Sequence, residues 1–160
     1  MGEGQISHFD ARDPDYAARV KKSFNAQGIM GHIGAHLVSV RPGYCEIELP
    51  YSEAVSQQHG FFHGGIIGTI ADSAGGYAAF SLMDTENGVL TVEYKLNLMA
   101  PADGERLLAR GQVLRPGRTL TVTRAEVSVF KDGKETVCAA MQQTLMRIAG
   151  PIAGGAEISG

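Results

Sequence analysis

The feature that most constrains this 160-residue chain is a run of small and apolar residues between His63 and Asp84, GGIIGTIADSAGGYAAFSLM. A helix over this run has almost no polar face, so it must be enclosed on most sides. Its glycines at 68, 75 and 76 each weaken a helix by about 1 kcal/mol relative to alanine, which makes sense if another backbone packs very close. The run therefore predicts one long buried helix over about residues 65–83.

Segments that alternate polar and apolar residues surround this helix and predict six strands. Two of them form a hairpin over residues 35–50 around a Pro-Gly turn, and the others follow the helix at residues 89–99, 105–115, 119–130 and 135–147. Turn sequences separate the last four, which we expect to form a meander. The central helix is the only element apolar enough to cover one face of the sheet. We therefore predict an α+β hotdog fold, a six-stranded antiparallel sheet wrapped around one long central helix.

The segments outside this core are simpler. Residues 14–26 predict a short amphipathic helix with Asp13 as its N-cap and Pro14 at its first position. We expect an N-terminal arm and short helix over 1–27, a single domain over 28–148, and a flexible Gly-rich tail over 149–160.

Composition excludes several function classes. A net charge of -3 and a pI of about 5.9 argue against electrostatic binding of nucleic acid. No stretch of about 18 apolar residues occurs, so no membrane-spanning helix is expected. The only cysteines, Cys45 and Cys138, lack CxxC spacing, and no signal peptide is evident. We therefore expect a reduced, cytoplasmic location.

Two glycines and one acid indicate where chemistry could occur. Gly64 and Gly65 fall in the first turn of the predicted helix, where N–H groups lack intrahelical acceptors and the helix dipole favours negative charge. Without a Cβ, a ligand oxygen could approach them closely, although the glycines could also serve only the entry of the loop into the helix. Asp72 is the only acid within the apolar run, and a buried carboxylate is costly unless it has partners or a function.

Gly64 and Asp72 cannot reach one carbonyl within a single chain. They are eight residues apart, or about 12 Å along a helix. If both act on one substrate, two antiparallel copies of the helix must meet across a two-fold axis, which predicts a dimer with two shared sites. Asp72 could instead lie on a wet strip of the helix or cap a neighbouring element.

Other motifs are weaker. The pairs His32/His36 and His59/His63 have i, i+4 spacing but lie beside loops and strands, so we expect no metal site. No GxGxxG or GxxxxGK[ST] motif for nucleotide phosphates is found.

The run QQHGFFHGGIIGTIADSAGGYAAF, residues 57–80, resembles the PaaI-like branch of the hotdog acyl-CoA thioesterases. That family's pattern is roughly N-x-x-G-x-x-HGG-x6-D, and the chain matches it at Gly60, His63, Gly64, Gly65 and Asp72. Residues 91–102 and 117–130 resemble later strands of the same family. The resemblance covers about residues 28–148.

The resemblance implies hydrolysis of acyl-CoA to a free acid and CoA, without metal, cofactor or prosthetic group. The N–H of Gly64 would polarise the thioester carbonyl, and His63 would order its loop. Asp72 of the other subunit would act as general base on water or as nucleophile. Thr91 matches a hydroxyl residue that holds the attacking water. Gln57 stands where the family often has Asn, so its part in orienting water or carbonyl is open.

Substrate contacts are expected from Gly65, Phe61, Phe62 and Tyr77, with Arg118 near the CoA phosphates. Phe61 and Phe62 could instead only pack in the core, and Arg118 could lie on a solvated edge. The acyl group is left open, as is the choice between a dimer and a dimer of dimers. Two further hypotheses are a non-catalytic acyl-CoA-binding protein on the same fold and a structural or interaction domain.

Overall fold

The computed structural model describes residues 8–150 of the chain. These residues form three α-helices and six strands, with one short 3-10 helix at Glu53–Val55. The elements in chain order are α1 Tyr16–Ala26, α2 Gly28–Ile33, β1 His36–Arg41, β2 Tyr44–Pro50, α3 Gly64–Phe80, β3 Asn87–Leu98, β4 Arg106–Pro116, β5 Leu120–Lys131 and β6 Lys134–Ala149.

The strands form one antiparallel sheet in the order β1-β2-β4-β5-β6-β3, and α3 packs against it. The predicted α+β hotdog fold is confirmed. The expected meander of the last four strands is wrong, because β3 pairs with β6 and is separated from β4 by two strands.

The segment between β3 and β4 explains this order. It is not a hairpin turn but a link that crosses the ends of the neighbouring strands. The N–H of Met99 donates to the carbonyl of Cys138 on β6 at 2.8 Å, and the N–H of Glu105 donates to that of Phe130 on β5 at 2.8 Å. β3 is thereby left at one edge of the sheet, with β1 at the other.

The backbones of α3 and β4 come into close contact where each contains a glycine, Gly75 in the helix and Gly111 in the strand. A Cβ placed on Gly111 of β4 would lie 2.2 Å from the carbonyl carbon of Ala74 and 2.5 Å from the nitrogen of Gly75. Ile70, Ala71 and Ala74 are fully buried in this contact region of α3. The backbone of β4 thus packs very close to α3, but the glycine that this contact requires is Gly111 of the strand, and the space beside the helix glycines 68, 75 and 76 is taken by side chains, among them those of Leu96, Gln143 and Leu145.

The N-terminal part differs in detail from the sequence-based expectation. α1 begins at Tyr16, so Asp13 is not its N-cap and Pro14 is not its first residue. Instead, the Asp13 carboxylate accepts hydrogen bonds from Asp15 N–H at 2.9 Å and from the Arg19 guanidinium at 2.8 Å. The Arg19 contact lowers the pKa of Asp13.

The six-residue helix α2 was not expected. It begins at Gly28, where the sequence indicated the end of α1, and it is too short to show a helical period. Its Met30 and Ile33 are buried in the core, and Gly34 follows with a φ of 80°.

Both ends of the domain extend slightly further than predicted. Phe9, in the segment expected to be a loose arm, packs against the core. At the other end β6 continues to Ala149, and Gly150 N–H donates to the Glu86 carbonyl at 2.8 Å. The rest of the expected arm and tail, 1–7 and 151–160, lies outside the described residues.

Candidate active site

The N-terminus of α3 is held by a single side chain. His63 is its N-cap, and its Nδ1 accepts a hydrogen bond from the N–H of Gly65 at 2.9 Å. Nδ1 must therefore be unprotonated, with any ring proton on Nε2. The backbone of His63 is fixed in turn, because its N–H donates a hydrogen bond to the carbonyl oxygen of Val55 at 2.9 Å. His63 thus orders this turn.

This arrangement leaves one amide of the first turn available. The N–H of Gly65 is occupied by the imidazole, and a Cβ on Gly65 would stand 3.1 Å from that ring. The N–H of Gly64 has no acceptor among residues 8–150. At a helix N-terminus such an N–H can polarise a carbonyl or bind an oxyanion.

Asp72 lies at the centre of α3 and is half-buried. Its Oδ1 accepts hydrogen bonds from Thr91 Oγ1 on β3 at 2.8 Å and from Gln143 Nε2 on β6 at 2.8 Å. Within the described residues, its Oδ2 has no hydrogen-bond or ion-pair partner. One oxygen is therefore fixed and the other is free to accept a proton or to attack.

Gln143 is a part of this site that sequence reasoning missed. It is fully buried on β6, between the buried Met141 and Leu145. The signal was available in the sequence, because the alternation of this strand puts a glutamine at an inward position that its neighbours fill with apolar side chains.

A cavity with a volume of about 910 Å³, here called the larger cavity, contains Asp72 and Thr91 in its wall. Tyr77 and Phe80 of α3 also line it, and one side is closed by Ser23 of α1 and by Gln27, which directly follows that helix. This is a volume that suits a small organic group.

Tyr77 connects α1 to this cavity. The Tyr77 hydroxyl accepts a hydrogen bond from Gln27 Nε2 at 2.6 Å and lies 3.2 Å from Ser23 Oγ. Burial raises the pKa of Tyr77, so its hydroxyl stays neutral. The surface of the cavity wall is thus mostly apolar, with this neutral polar cluster and with the charged side chains of Arg19, Lys22 and Asp72.

A second cavity of about 380 Å³ lies at the N-terminus of α3. Gly64, Gln57, Phe61 and Phe62 line it. Phe62 is buried and packs edge-on against Tyr51 with ring centroids 5.3 Å apart. The Gln57 side chain accepts a hydrogen bond from the N–H of His59, which holds its carbonyl oxygen within its own turn.

The expected site residues therefore divide into two groups within one chain. Asp72, Thr91 and Tyr77 share the larger cavity, whereas Gly64, Gln57 and both phenylalanines share the smaller one. Within one chain, the Asp72 carboxylate and the Gly64 N–H therefore lie in different cavities.

Arg118 is apart from both groups. It is exposed on the turn between β4 and β5 and lines neither cavity. His36, from one of the two histidine pairs, binds Glu48 on the neighbouring strand at 3.1 Å. Within residues 8–150 we find no cluster of three or more His, Cys, Asp or Glu side chains arranged to hold a metal ion. None of the helices in that range is both long and apolar enough to span a bilayer.

Known proteins resemble this chain in both sequence and fold. A family model described as the thioesterase superfamily matches residues 59–137. Human acyl-coenzyme A thioesterase 13 is 30% identical over 116 residues, which are 71% of this chain and 79% of the human protein.

Solved structures extend the comparison. A thioesterase family protein from Silicibacter pomeroyi is 50% identical, with a TM-score of 0.83 over 84% of this chain and 99% of that chain. The E. coli PaaI protein shares the fold at 19% identity, with a TM-score of 0.72 over 81% of this chain and 90% of its own.

Proposed function

This chain belongs to the thioesterase superfamily and is a thioester hydrolase, and on that premise we propose that it cleaves acyl-CoA into a free acid and coenzyme A. The observation that carries the proposal is the Asp72 carboxylate in the wall of the larger cavity. One of its oxygens is fixed by two hydrogen bonds, and the other has no partner within residues 8–150. The name of the human relative supports an acyl-CoA substrate.

The proposed reaction uses two groups of the protein. The Gly64 N–H donates a hydrogen bond to the thioester carbonyl oxygen, and this contact strengthens as negative charge develops there. Asp72 removes a proton from water, whose oxygen attacks the carbonyl carbon. When the tetrahedral intermediate collapses, the C–S bond breaks and the CoA sulfur takes that proton from Asp72.

A second route uses the same residue as the nucleophile. In that route Asp72 Oδ2 bonds to the acyl carbon and displaces the CoA thiolate, and water then hydrolyses the mixed anhydride. Single turnover in ¹⁸O-water detects this route when water attacks the Asp72 carbon of the anhydride, because the label then stays in the protein. Direct attack by water labels the product acid, as does attack of water on the acyl carbon of the anhydride.

We further propose that each complete site combines Gly64 of one protomer with Asp72 of another. The edge strand β3 supports this arrangement, because apolar side chains on it and just after it are 50–56% exposed. These are Leu90, Val92, Tyr94, Leu98 and Met99. A long apolar edge of this kind is usually covered.

The two ends of β3 give the orientation. Leu90 and Thr91 line the Asp72 cavity at its start, and Leu98 lines the Gly64 cavity at its end. If two copies of β3 pair antiparallel across a two-fold axis, the Asp72 end of one protomer meets the Gly64 end of its partner. Each two-fold contact would thus create two equivalent sites.

The reaction is tested by thiol release from a panel of acyl-CoAs, with Asp72→Asn as the variant. Turnover should fall by at least about 10²-fold, because the amide can neither accept the proton nor attack. Asp103→Asn is the matched control, since the half-exposed Asp103 side chain pairs with Lys131 and lines neither cavity. Binding of acyl-CoA to wild type without turnover would favour the non-catalytic hypothesis.

The shared site is tested by mixing two inactive variants. Gly64→Pro removes the N–H at the first position of the helix, where the backbone accepts proline, and His63 before it already has the extended backbone that proline requires; the ring must displace the end of the Leu98 side chain, which would lie 2.8 Å from the new Cβ, so dimer formation by this variant is checked first. Random exchange of this variant with Asp72→Asn gives half heterodimers, each with one intact site. Activity should recover to about a quarter of wild type. Sites contained within one chain would recover nothing.

A further inference from the structure

Two buried polar side chains beside Asp72, those of Gln143 and Thr123, have no part in the proposed reaction. Gln143 is fully buried and donates from Nε2 to Asp72 Oδ1 at 2.8 Å and to the Asp72 carbonyl at 3.3 Å. Thr123 on β5, also fully buried, lies beside it. A polar group at such a position costs stability unless something requires it.

The orientation of the Gln143 amide follows from its neighbours. Two oxygens of Asp72 face one end of the amide, so that end must be the NH₂ group. Oε1 is then directed away from the cavity. Within residues 8–150 it has no hydrogen-bond partner, and neither does Thr123 Oγ1.

Gly75 provides the space for this arrangement. A Cβ on Gly75 would stand 1.8 Å from Gln143 Oε1 and 2.8 Å from Thr123 Oγ1. Any larger residue at this position of α3 would therefore push the glutamine out of its place. The helix, β5 and β6 all contribute to the same small polar group.

We infer that Gln143 is a positioning residue, which acts through Asp72 by holding Oδ1 so that Oδ2 faces the substrate cavity. The inference rests on the proposed function. Thr91 holds the same oxygen from β3, but Thr91 is exposed at the sheet edge, whereas Gln143 is enclosed. The glutamine is thus the rigid half of the support. Without it the carboxylate can rotate, and small misplacements of a reacting group reduce turnover strongly.

The test is a double-mutant cycle with Gln143→Met and Asp72→Asn. Methionine fills a similar volume but cannot donate. We expect Gln143→Met to lower kcat about 10- to 100-fold with KM changed less than about 3-fold, because the loss affects the reacting group and not substrate contacts. In the Asp72→Asn background the same substitution should have no further effect on the residual rate.

Gln142→Met is the matched control, because Gln142 is the exposed neighbour on the outer face of the same strand. It should retain wild-type kcat. Unfolding midpoints are measured for all variants, so that kcat is compared only between folded proteins; in Gln143→Met the loss of two hydrogen bonds to Asp72 destabilises the protein and the removal of a buried unpaired oxygen stabilises it. A wild-type kcat for Gln143→Met, or an undiminished effect in the Asp72→Asn background, would overturn the inference.

A second readout does not depend on activity. The side-chain amide resonances of Gln143 are assigned in a ¹⁵N-glutamine-labelled sample by their absence from Gln143→Met. Slow proton exchange, lost in Asp72→Ala, would support the contact, and rapid exchange in wild type would refute it. If wild type shows the protected amide but releases no thiol, the proposed function fails while the contact stands. If Asp72→Asn abolishes turnover and Gln143→Met does not change it, only the positioning role fails.

Discussion

Substituting alanine for Gly111 tests the contact that fixes the central helix on the sheet. The new Cβ would lie 2.2 Å from the carbonyl carbon of Ala74, where ordinary contact begins at 3.4 Å. The strand must therefore retreat from α3 by about 1.2 Å. Overpacking of a core costs about 1–3 kcal/mol, and we expect about 3 kcal/mol here because backbone atoms cannot rotate away.

The assay is denaturant and thermal unfolding. For a domain of this size a loss of 3 kcal/mol lowers Tm by about 6–12 °C. Turnover should fall as well, because Ala74 lies two residues from Asp72 and the retreat of β4 disturbs α3 there.

Gly31→Ala is the control. Gly31 is within α2, and nothing lies within 4 Å of the position that its Cβ would take. Alanine there should stabilise the protein by about 0.5–1 kcal/mol. If Gly111→Ala were as stable as Gly31→Ala, glycine would not be required for the close approach of β4, and the packing argument would be refuted.

Substitution or labelling at three further residues gives testable outcomes. His63→Ala removes the acceptor for the Gly65 N–H and should lower the unfolding free energy by about 1 kcal/mol, whereas His63→Asn should restore it. Equal stability of wild type and these two variants would contradict the capping role. Thr91→Val should lower kcat about 10-fold and Thr91→Ser should retain it, because only a hydroxyl can donate to Asp72. Equal rates of these two variants in a thiol-release assay would contradict this. Burial raises the pKa of Cys138 from 9.0 to about 11, so iodoacetamide should label it only after unfolding. The stability that this raised pKa contributes is present below pH 9 and is lost as the pH rises through 11. Unfolding curves at pH 8–11 for wild type and for Cys138→Ala measure it. Identical slopes of the unfolding free energy against pH in the two proteins would contradict it.

Local sequence information was enough for much of the fold. The enclosed helix, the six strands and their turns follow from periods of 3.6 and 2 residues, which neighbours along the chain create. Asp72 could be identified because one carboxylate in an otherwise apolar helix is conspicuous in any arrangement. The His-Gly-Gly segment likewise identified the helix N-terminus, and the structure gives His63 the capping contact there.

The larger failures concern contacts between distant segments, whereas the misplaced start of α1 is local, because Asp13 binds Arg19 instead of capping the helix. The position of β3 beside β6 was missed because the turn residues before β4 indicate a change of direction without indicating which strand becomes the neighbour. α2 was missed because six residues show no period, and only burial of Met30 and Ile33 stabilises them as a helix.

The candidate site shows the same division. Candidate chemical groups could be recognised along the chain, because charge, hydroxyl groups and missing side chains are properties of single residues. Folding was needed to bring Gln143, 71 residues after Asp72, to its carboxylate, and to place Gly64 and Asp72 in separate cavities of one chain. The physical reason is that these relations depend on which faces of the helix and sheet are buried together, and such packing is settled by the whole chain at once.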